Sequence, residues 1–282
     1  MLFGTHVSIA GGVFNAPLNA AEVNCETFQM FTRSPRGGAA PKLTEEVVRD
    51  FKSNCQKHGF KNYYVHAPYY INLASDNTKI AKSSVKIIKE ELQRCCLLDV
   101  KAMMIHVGSA REQTKEAALK KAINSLTEIL KDYKGSTQFL IEIAAGAGNV
   151  MGDTFEEVAA MIKAVQPKTK SKVGVCFDTA HAFASGYDLR TKENVIETLK
   201  KFDKIIGLKK LVLIHGNDSL VEFNSRKDRH WHIGKGKIGK TGFQTIINHP
   251  QLKKVDMILE TPDAAMDKVN LKTVKNLRKG LT

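Results

Sequence analysis

Eight short apolar runs alternate with longer amphipathic segments from one end of this 282-residue chain to the other. That pattern predicts an α/β fold of the (β/α)8, or TIM-barrel, type, with parallel strands inside, helices outside and an active site at the C-terminal mouth. The repeat has the length of one strand–helix unit, and no low-complexity linker divides the chain, so residues 1–282 read as one domain. An open dinucleotide-binding sheet is disfavoured because Ser8-Ile-Ala-Gly11-Gly12 lacks the G-x-G-x-x-G order after the first strand.

The expected strands are Leu2–Ile9, Thr27–Phe31, Asn62–His66, Ala102–Val107, Gln138–Ile143, Val173–Asp178, Leu211–His215 and Asp256–Glu260. Helical periodicity covers Thr44–His58, Asn77–Leu98, Glu112–Tyr133, Thr154–Val165 and Glu193–Ile206, with Gly59, Gly135 and Gly207 as stop signals. Thr44 before Glu45-Glu46, and Asp153-Thr154 before Glu156-Glu157, read as capped starts with acidic first turns.

Composition narrows the function. A net charge of +14, from 43 Lys and Arg against 29 Asp and Glu, suggests a polyanionic partner, although some of it serves solubility. Five cysteines without a C-x-x-C argue against a disulfide framework or a thiolate zinc site. No targeting segment opens the chain and no apolar run could span a bilayer, so a cytoplasmic protein with no membrane partner is expected. No apolar patch announces an obligate protein partner.

The last residues of successive strands carry the chemistry. His66, His106, Glu142, Asp178, His215 and Glu260 each end an apolar run, at intervals of 36 to 45 residues, and so belong to one level of the barrel. A lone histidine on a strand is usually a satisfied core residue, and Asp178 alone reads equally well as a helix cap. Imidazoles and carboxylates recurring together at the mouth are better explained by divalent cations, which neutralise carboxylates that would otherwise repel one another. The sulfur-free ligand set suits Zn²⁺ or Mn²⁺ better than Mg²⁺. His181, three residues after Asp178, could join Asp228 and His230 in a further site. His232 reads as a supporting or solvent-facing residue. Gly234-Lys-Gly-Lys-Ile-Gly239-Lys240-Thr241 matches the letters of a P-loop but follows no apolar strand and precedes only a short helical stretch; a surface loop that meets phosphate stays open.

Taken together, Phe3-Gly-Thr-His6-Val-Ser-Ile-Ala-Gly-Gly12, His66-Ala-Pro-Tyr-Tyr-Ile-Asn72, Phe177-Asp-Thr-Ala-His-Ala-Phe-Ala-Ser-Gly-Tyr-Asp188, His215-Gly-Asn-Asp218, Asp228-Arg-His230 and Leu259-Glu-Thr261 resemble endonuclease IV, the apurinic/apyrimidinic endonuclease family, nearly end to end. The resemblance implies three zinc ions, with Mn²⁺ as a substitute. His66, His106 and Glu142 would hold one; Glu142, Asp178, His215 and Glu260 a second, with Glu142 bridging; His181, Asp228 and His230 the third. It also implies hydrolysis of the phosphodiester 5′ to an abasic site in double-stranded DNA, leaving a 3′-hydroxyl and a 5′-deoxyribose phosphate, and trimming of blocked 3′ ends. Glu260 would orient or deprotonate the attacking water, with Glu142 beside it as the second catalytic carboxylate. Arg36, Tyr69 and Tyr70 match positions that enter the duplex at the lesion.

The chain departs from the family pattern at Ile143-Ala144, where Asn-Thr is usual, at Gly37-Gly38, where an aromatic is common, and at Lys235, which replaces an acidic residue. These put contacts around the site in doubt more than the reaction. Two other readings compete. A metal-dependent sugar isomerase or epimerase also places His and carboxylates at strand ends, but does not need Asp228, His230 and a large positive charge. A zinc-loaded DNA-binding module would not need a bridging carboxylate.

Overall fold

Alternation along each strand sorts the side chains into two layers. Tyr64, Met104, Leu140, Cys176, Leu213 and Ile258 pack with Ala102 inside the barrel, while Val65, Ile105, Ile141, Phe177, Ile214 and Leu259 belong to the larger core beneath the helices. Side chains repeat every second residue on a strand. The inward residues two places further on are therefore His66, His106, Glu142, Asp178, His215 and Glu260, which is why these side chains share one level above an apolar floor.

The computed structural model describes residues 1–278. Its barrel strands are β1 (Phe3–Thr5), β2 (Phe28–Met30), β3 (Tyr63–His66), β4 (Ala102–Ile105), β5 (Gln138–Glu142), β6 (Val173–Asp178) and β7 (Leu211–His215), then, after a two-stranded ribbon of β8 (Asp218–Ser219) and β9 (His230–Trp231), β10 (Asp256–Leu259). The eight-stranded sheet runs β1-β10-β7-β6-β5-β4-β3-β2, all parallel. A parallel bridge between His6 and Gln29 brings its two edges together, with the Val7 N–H donating to the Gln29 carbonyl at 2.8 Å.

Helices α1 (Ala16–Glu22), α2 (Glu45–Lys57), α3 (Thr78–Leu97), α4 (Lys115–Leu130), α5 (Phe155–Val165), α6 (Thr179–Ala184), α7 (Lys192–Ile205), α8 (Gly239–Asn248) and α9 (Asp267–Leu277) complete the fold. Thr44 and Thr154 cap α2 and α5 as expected, accepting from Val47 N and Glu157 N. Three expectations need correction. The first strand shortens to Phe3–Thr5 because the backbone turns at Ala10-Gly11 and Gly12 takes a positive φ. The fourth helix begins only after Thr114, whose hydroxyl accepts from Ala117 N, and ends at Leu130, so Gly135 stops no helix. Helices α1 and α9 were not anticipated, and α8 was legible only as a brief helical stretch; α1 has just seven residues and α8 starts within Gly-Lys-Thr-Gly, where intrinsic propensity is weak. Among the described residues no helix is long and apolar enough to cross a membrane.

The β1–β2 seam admits no extra atoms. A Cβ added to Gly4 would stand 1.8 Å from the Thr27 carbonyl oxygen. Gly4→Ala should therefore push the two strands apart and cost about 1–3 kcal/mol, measured as a lowered urea midpoint with an unchanged slope.

Candidate metal centre

The strand-end side chains meet in one buried cluster. Glu142 lies at its middle. Its Oε2 is 3.1 Å from His66 Nε2 and 3.6 Å from His106 Nε2, while its Oε1 is 2.8 Å from His215 Nδ1 and 3.6 Å from His181 Nδ1. Glu260 Oε2 lies 3.2 Å from His215 Nδ1 and Asp178 Oδ2 3.8 Å from the same nitrogen. On the far side His181 Nε2, His230 Nε2 and Asp228 Oδ1 stand within 3.4 Å of one another. Glu142, Asp178 and His215 are completely buried, whereas about half of the Asp228 side chain faces solvent.

The β6–α6 junction joins these groups. Asp178 Oδ1 caps α6 by accepting from His181 N at 2.8 Å, while Oδ2 accepts from Asn217 Nδ2 at 2.7 Å and lies 3.5 Å from His230 Nε2. The capping role and the site role therefore coexist on one carboxylate. His181 Nδ1 donates to the Ile143 carbonyl at 3.0 Å, which leaves Nε2 for the cluster. The contact is made by main chain, so the apolar side chain at Ile143 does not remove it.

Charge compensation inside the cluster comes only from imidazoles. Burial alone would raise Glu142, but the charges of His106 and His215 outweigh it and hold the carboxyl well below its usual range. Burial likewise opposes the charge on Glu260, and His215 and His6 overcome it, so its pKa is also well below normal. Asp228 is held at about 2, burial being offset by its bond to His181. His181 is pushed up to about 10 because Asp178 and Asp228 outweigh its burial. Protonation is thus favoured on His66, His181 and His215, whereas burial lowers the pKa of His6 and His106. The side chains fit divalent ions in three groups: His66, His106 and Glu142; Glu142, Asp178, His215 and Glu260; and Asp178, His181 and His230, with Asp228 adjoining the last. Cys176 is also within reach of Glu142 and His215, and burial pushes its thiol up to about 12.

Similarity to known proteins agrees with this geometry. A family model described as xylose isomerase-like TIM barrel matches residues 18–281. The chain is 38% identical over 276 residues to a protein named Probable endonuclease 4 of Halothermothrix orenii, covering 96% of this chain and 99% of that one. A protein of the same name from Chlorobium phaeobacteroides is 41% identical over 261 residues, 92% of this chain and 91% of that one. The chain belongs to the endonuclease IV family. The crystal structure of endonuclease IV from Thermus thermophilus has the same fold, with a TM-score of 0.85 and 31% identity over 98% of both chains.

The remaining expected site residues lie on the rim. Tyr69 is 60% exposed, its ring edge-on to Phe31 at 5.4 Å and tilted against His66 at 5.2 Å. It lines a cavity of about 570 Å³ together with Tyr70, His106, Arg111, His181 and Asp228. Arg36 is exposed beside Gly37 and Gly38, both at positive φ, and does not line this cavity. His232 bonds Asn270 Nδ2 at 3.2 Å, a supporting position.

Two features were missed from sequence. Gln29 and Asn217 brace the cluster, and His6 bonds Gln29; Asn217 accepts from Glu260 N at 2.7 Å while donating to Asp178. The Gly234–Gly239 loop does form an anion-binding nest, but its anion is internal. N–H groups of Gly234, Gly236 and Ile238 donate to the buried Asp218 carboxylate at 2.9–3.0 Å, and Gly239 adds a longer bond. The chain itself fills the nest, so these N–H groups are engaged by Asp218, while the side chains of Lys235, Lys237 and Lys240 stay exposed. Asp218 thereby fastens the β8–β9 ribbon that carries His230.

Asp218→Ala should leave those N–H groups unpaired and cost about 3 kcal/mol, read from chemical denaturation. The ion-free protein should also show a pH effect. A folded-state His181 at about 10 against the ordinary 6.5 contributes stability that is complete below 6.5 and lost as pH rises towards 10. Chelated protein should therefore weaken across that interval, and metal-loaded protein should not, as compared by urea midpoints.

Proposed function

We propose that this protein is a DNA-repair endonuclease that hydrolyses the phosphodiester 5′ to an abasic site, leaving a 3′-hydroxyl and a 5′-deoxyribose phosphate, and that it trims blocked 3′ ends. The observation that carries the reading is the cluster centred on Glu142, whose two oxygens face separate sets of imidazoles. A single carboxylate shared in this way suits neighbouring cations, and relatives that span the chain are named endonuclease 4. His66, His106 and Glu142 would hold one zinc ion, Glu142, Asp178, His215 and Glu260 a second, and His181, Asp228 and His230 a third, with Mn²⁺ as a substitute. Asp178 Oδ2, 3.5 Å from His230 Nε2, would face both of the latter groups.

When bound, such ions lower the pKa of water and offset the charge that develops on the phosphodiester oxygens. The chain's own groups do the rest. Glu260 keeps one oxygen on Gln29 and turns the other towards the cluster, where it can take a proton from the attacking water. Glu142, buried between the histidines, fixes the spacing of the groups on either side. The apolar floor of Tyr64, Met104, Leu140 and Ile258 closes the barrel beneath and excludes bulk water. Tyr69 and Tyr70 present aromatic faces at the rim that can fill a duplex where a base is missing, and Arg36 supplies an exposed cation on the loop after β2. A net charge of +14 favours phosphate contacts, so binding should be salt-dependent and nearly indifferent to sequence. The same charge and the Asp228 and His230 pair favour DNA over a neutral sugar as substrate.

The direct test is incision of a duplex carrying one abasic analogue. Metal-loaded protein should cut on the 5′ side, chelation should abolish cutting, and Zn²⁺ or Mn²⁺ should restore it. Glu260→Gln should slow the reaction by roughly 10²–10⁴-fold with far-UV circular dichroism unchanged. Absence of 5′ incision, or full activity in Glu260→Gln, would overturn the reading.

A further inference from the structure

β2 sends one polar side chain into the barrel interior. Gln29 is completely buried beside the ligand cluster. Its amide meets three neighbours: Oε1 lies 2.7 Å from His215 Nε2, and Nε2 lies 2.6 Å from Glu260 Oε1 and 2.9 Å from His6 Nδ1. The chemistry of these partners fixes the direction of each bond. An ionised carboxylate only accepts, so the amide NH₂ faces Glu260 and the amide oxygen faces His215. His215 Nε2 must then carry a proton.

The consequence falls on the other nitrogen of the ring. His215 Nδ1 faces Glu142 Oε1 at 2.8 Å and Glu260 Oε2 at 3.2 Å. With its proton on Nε2, a neutral His215 presents a lone pair there, so three acceptor atoms converge on one point. A cation, or a second proton on the ring, is required at that point. The amide also holds Glu260 Oε1, so it is Oε2 that turns to the same place. One side chain therefore selects the donor atom on two different ligands. His66 and His106 have no hydrogen bond to Gln29 and lie on the other side of Glu142.

We propose that Gln29 is a positioning residue for the cation shared by Glu142, Asp178, His215 and Glu260, fixing which nitrogen of His215 and which oxygen of Glu260 are presented to it. This rests on the metal-dependent reading of the site. Hydrogen bonds that orient ligating His and carboxylates typically change metal affinity by about 10- to 100-fold.

The test is a zinc competition titration of the full chain against a chromophoric chelator, with wild type, Gln29→Leu and Gln29→Asn. Gln29→Leu removes the donors and the acceptor at similar volume. Gln29→Asn keeps the amide but falls one methylene short of holding both partners, and it serves if the leucine variant does not fold. The expected result is one ion loosened about 10- to 100-fold, the other ions held as in wild type, and an altered visible absorption spectrum of the Co²⁺-substituted protein. The kcat for incision should fall with KM for an abasic duplex unchanged, since Gln29 is remote from the surface. An unchanged titration and cobalt spectrum in a folded variant would overturn the proposal. So would uniform loosening of all ions together with a lower melting temperature of the ion-free protein, which marks a merely structural role. If wild type binds no divalent ion, the metal reading itself fails and this inference falls with it.

Discussion

Glu142 sits at the centre of a problem that the rest of the mouth is arranged to solve. A carboxylate fully removed from water is stable only if positive charge or strong donors surround it. Here the neighbours are imidazoles on both sides, His66 and His106 against one oxygen, His215 and His181 against the other. Each comes from a different strand end or, for His181, from helix α6, so the charge on Glu142 is balanced only when the barrel has closed.

Neutral groups keep that charged cluster in shape. Gln29 and Asn217 each contact two ligands from a strand or loop of their own, and neither changes charge with pH. Asp218, although ionised, has a comparable role further from the cluster, because backbone N–H groups of the Gly234–Gly239 loop surround it. Such bonds are individually worth about 1 kcal/mol net, but leaving one unmade in the interior costs more. Rigidity at the mouth therefore comes from many shared polar contacts rather than from any single strong bond. Tyr69 and Tyr70, by contrast, stay exposed at the rim, although the Tyr69 ring packs against Phe31 and His66.

Much of the fold was legible because period-two alternation and strand–helix spacing are local properties. The strand ends at His66, His106, Glu142, Asp178, His215 and Glu260 could be read as one level from sequence, since each ends an apolar run and the intervals match one strand–helix unit. Asp228 and His230 were legible only as a D-x-H pair whose relation to His181 depended on how the ribbon folds back. The structure puts the three within 3.4 Å. The P-loop letters show the opposite case. The Gly234–Gly239 loop forms a nest of backbone N–H groups although its context is not that of a P-loop, and no local pattern could reveal that Asp218, from a preceding strand, fills it.

The sequence by itself determined the barrel, the ligand types and their level, because chain alternation and residue chemistry act over a few neighbours. Tertiary structure alone decided which atoms face one another. Gln29 shows why: it is an ordinary glutamine in Phe28–Met30 until closure of the β1–β2 seam brings it against His6, and against His215 and Glu260 across the mouth. Hydrogen-bond direction, imidazole tautomer and the free oxygen of a carboxylate are set by partners nearly two hundred or more residues away in the chain, and no short stretch of sequence carries that information.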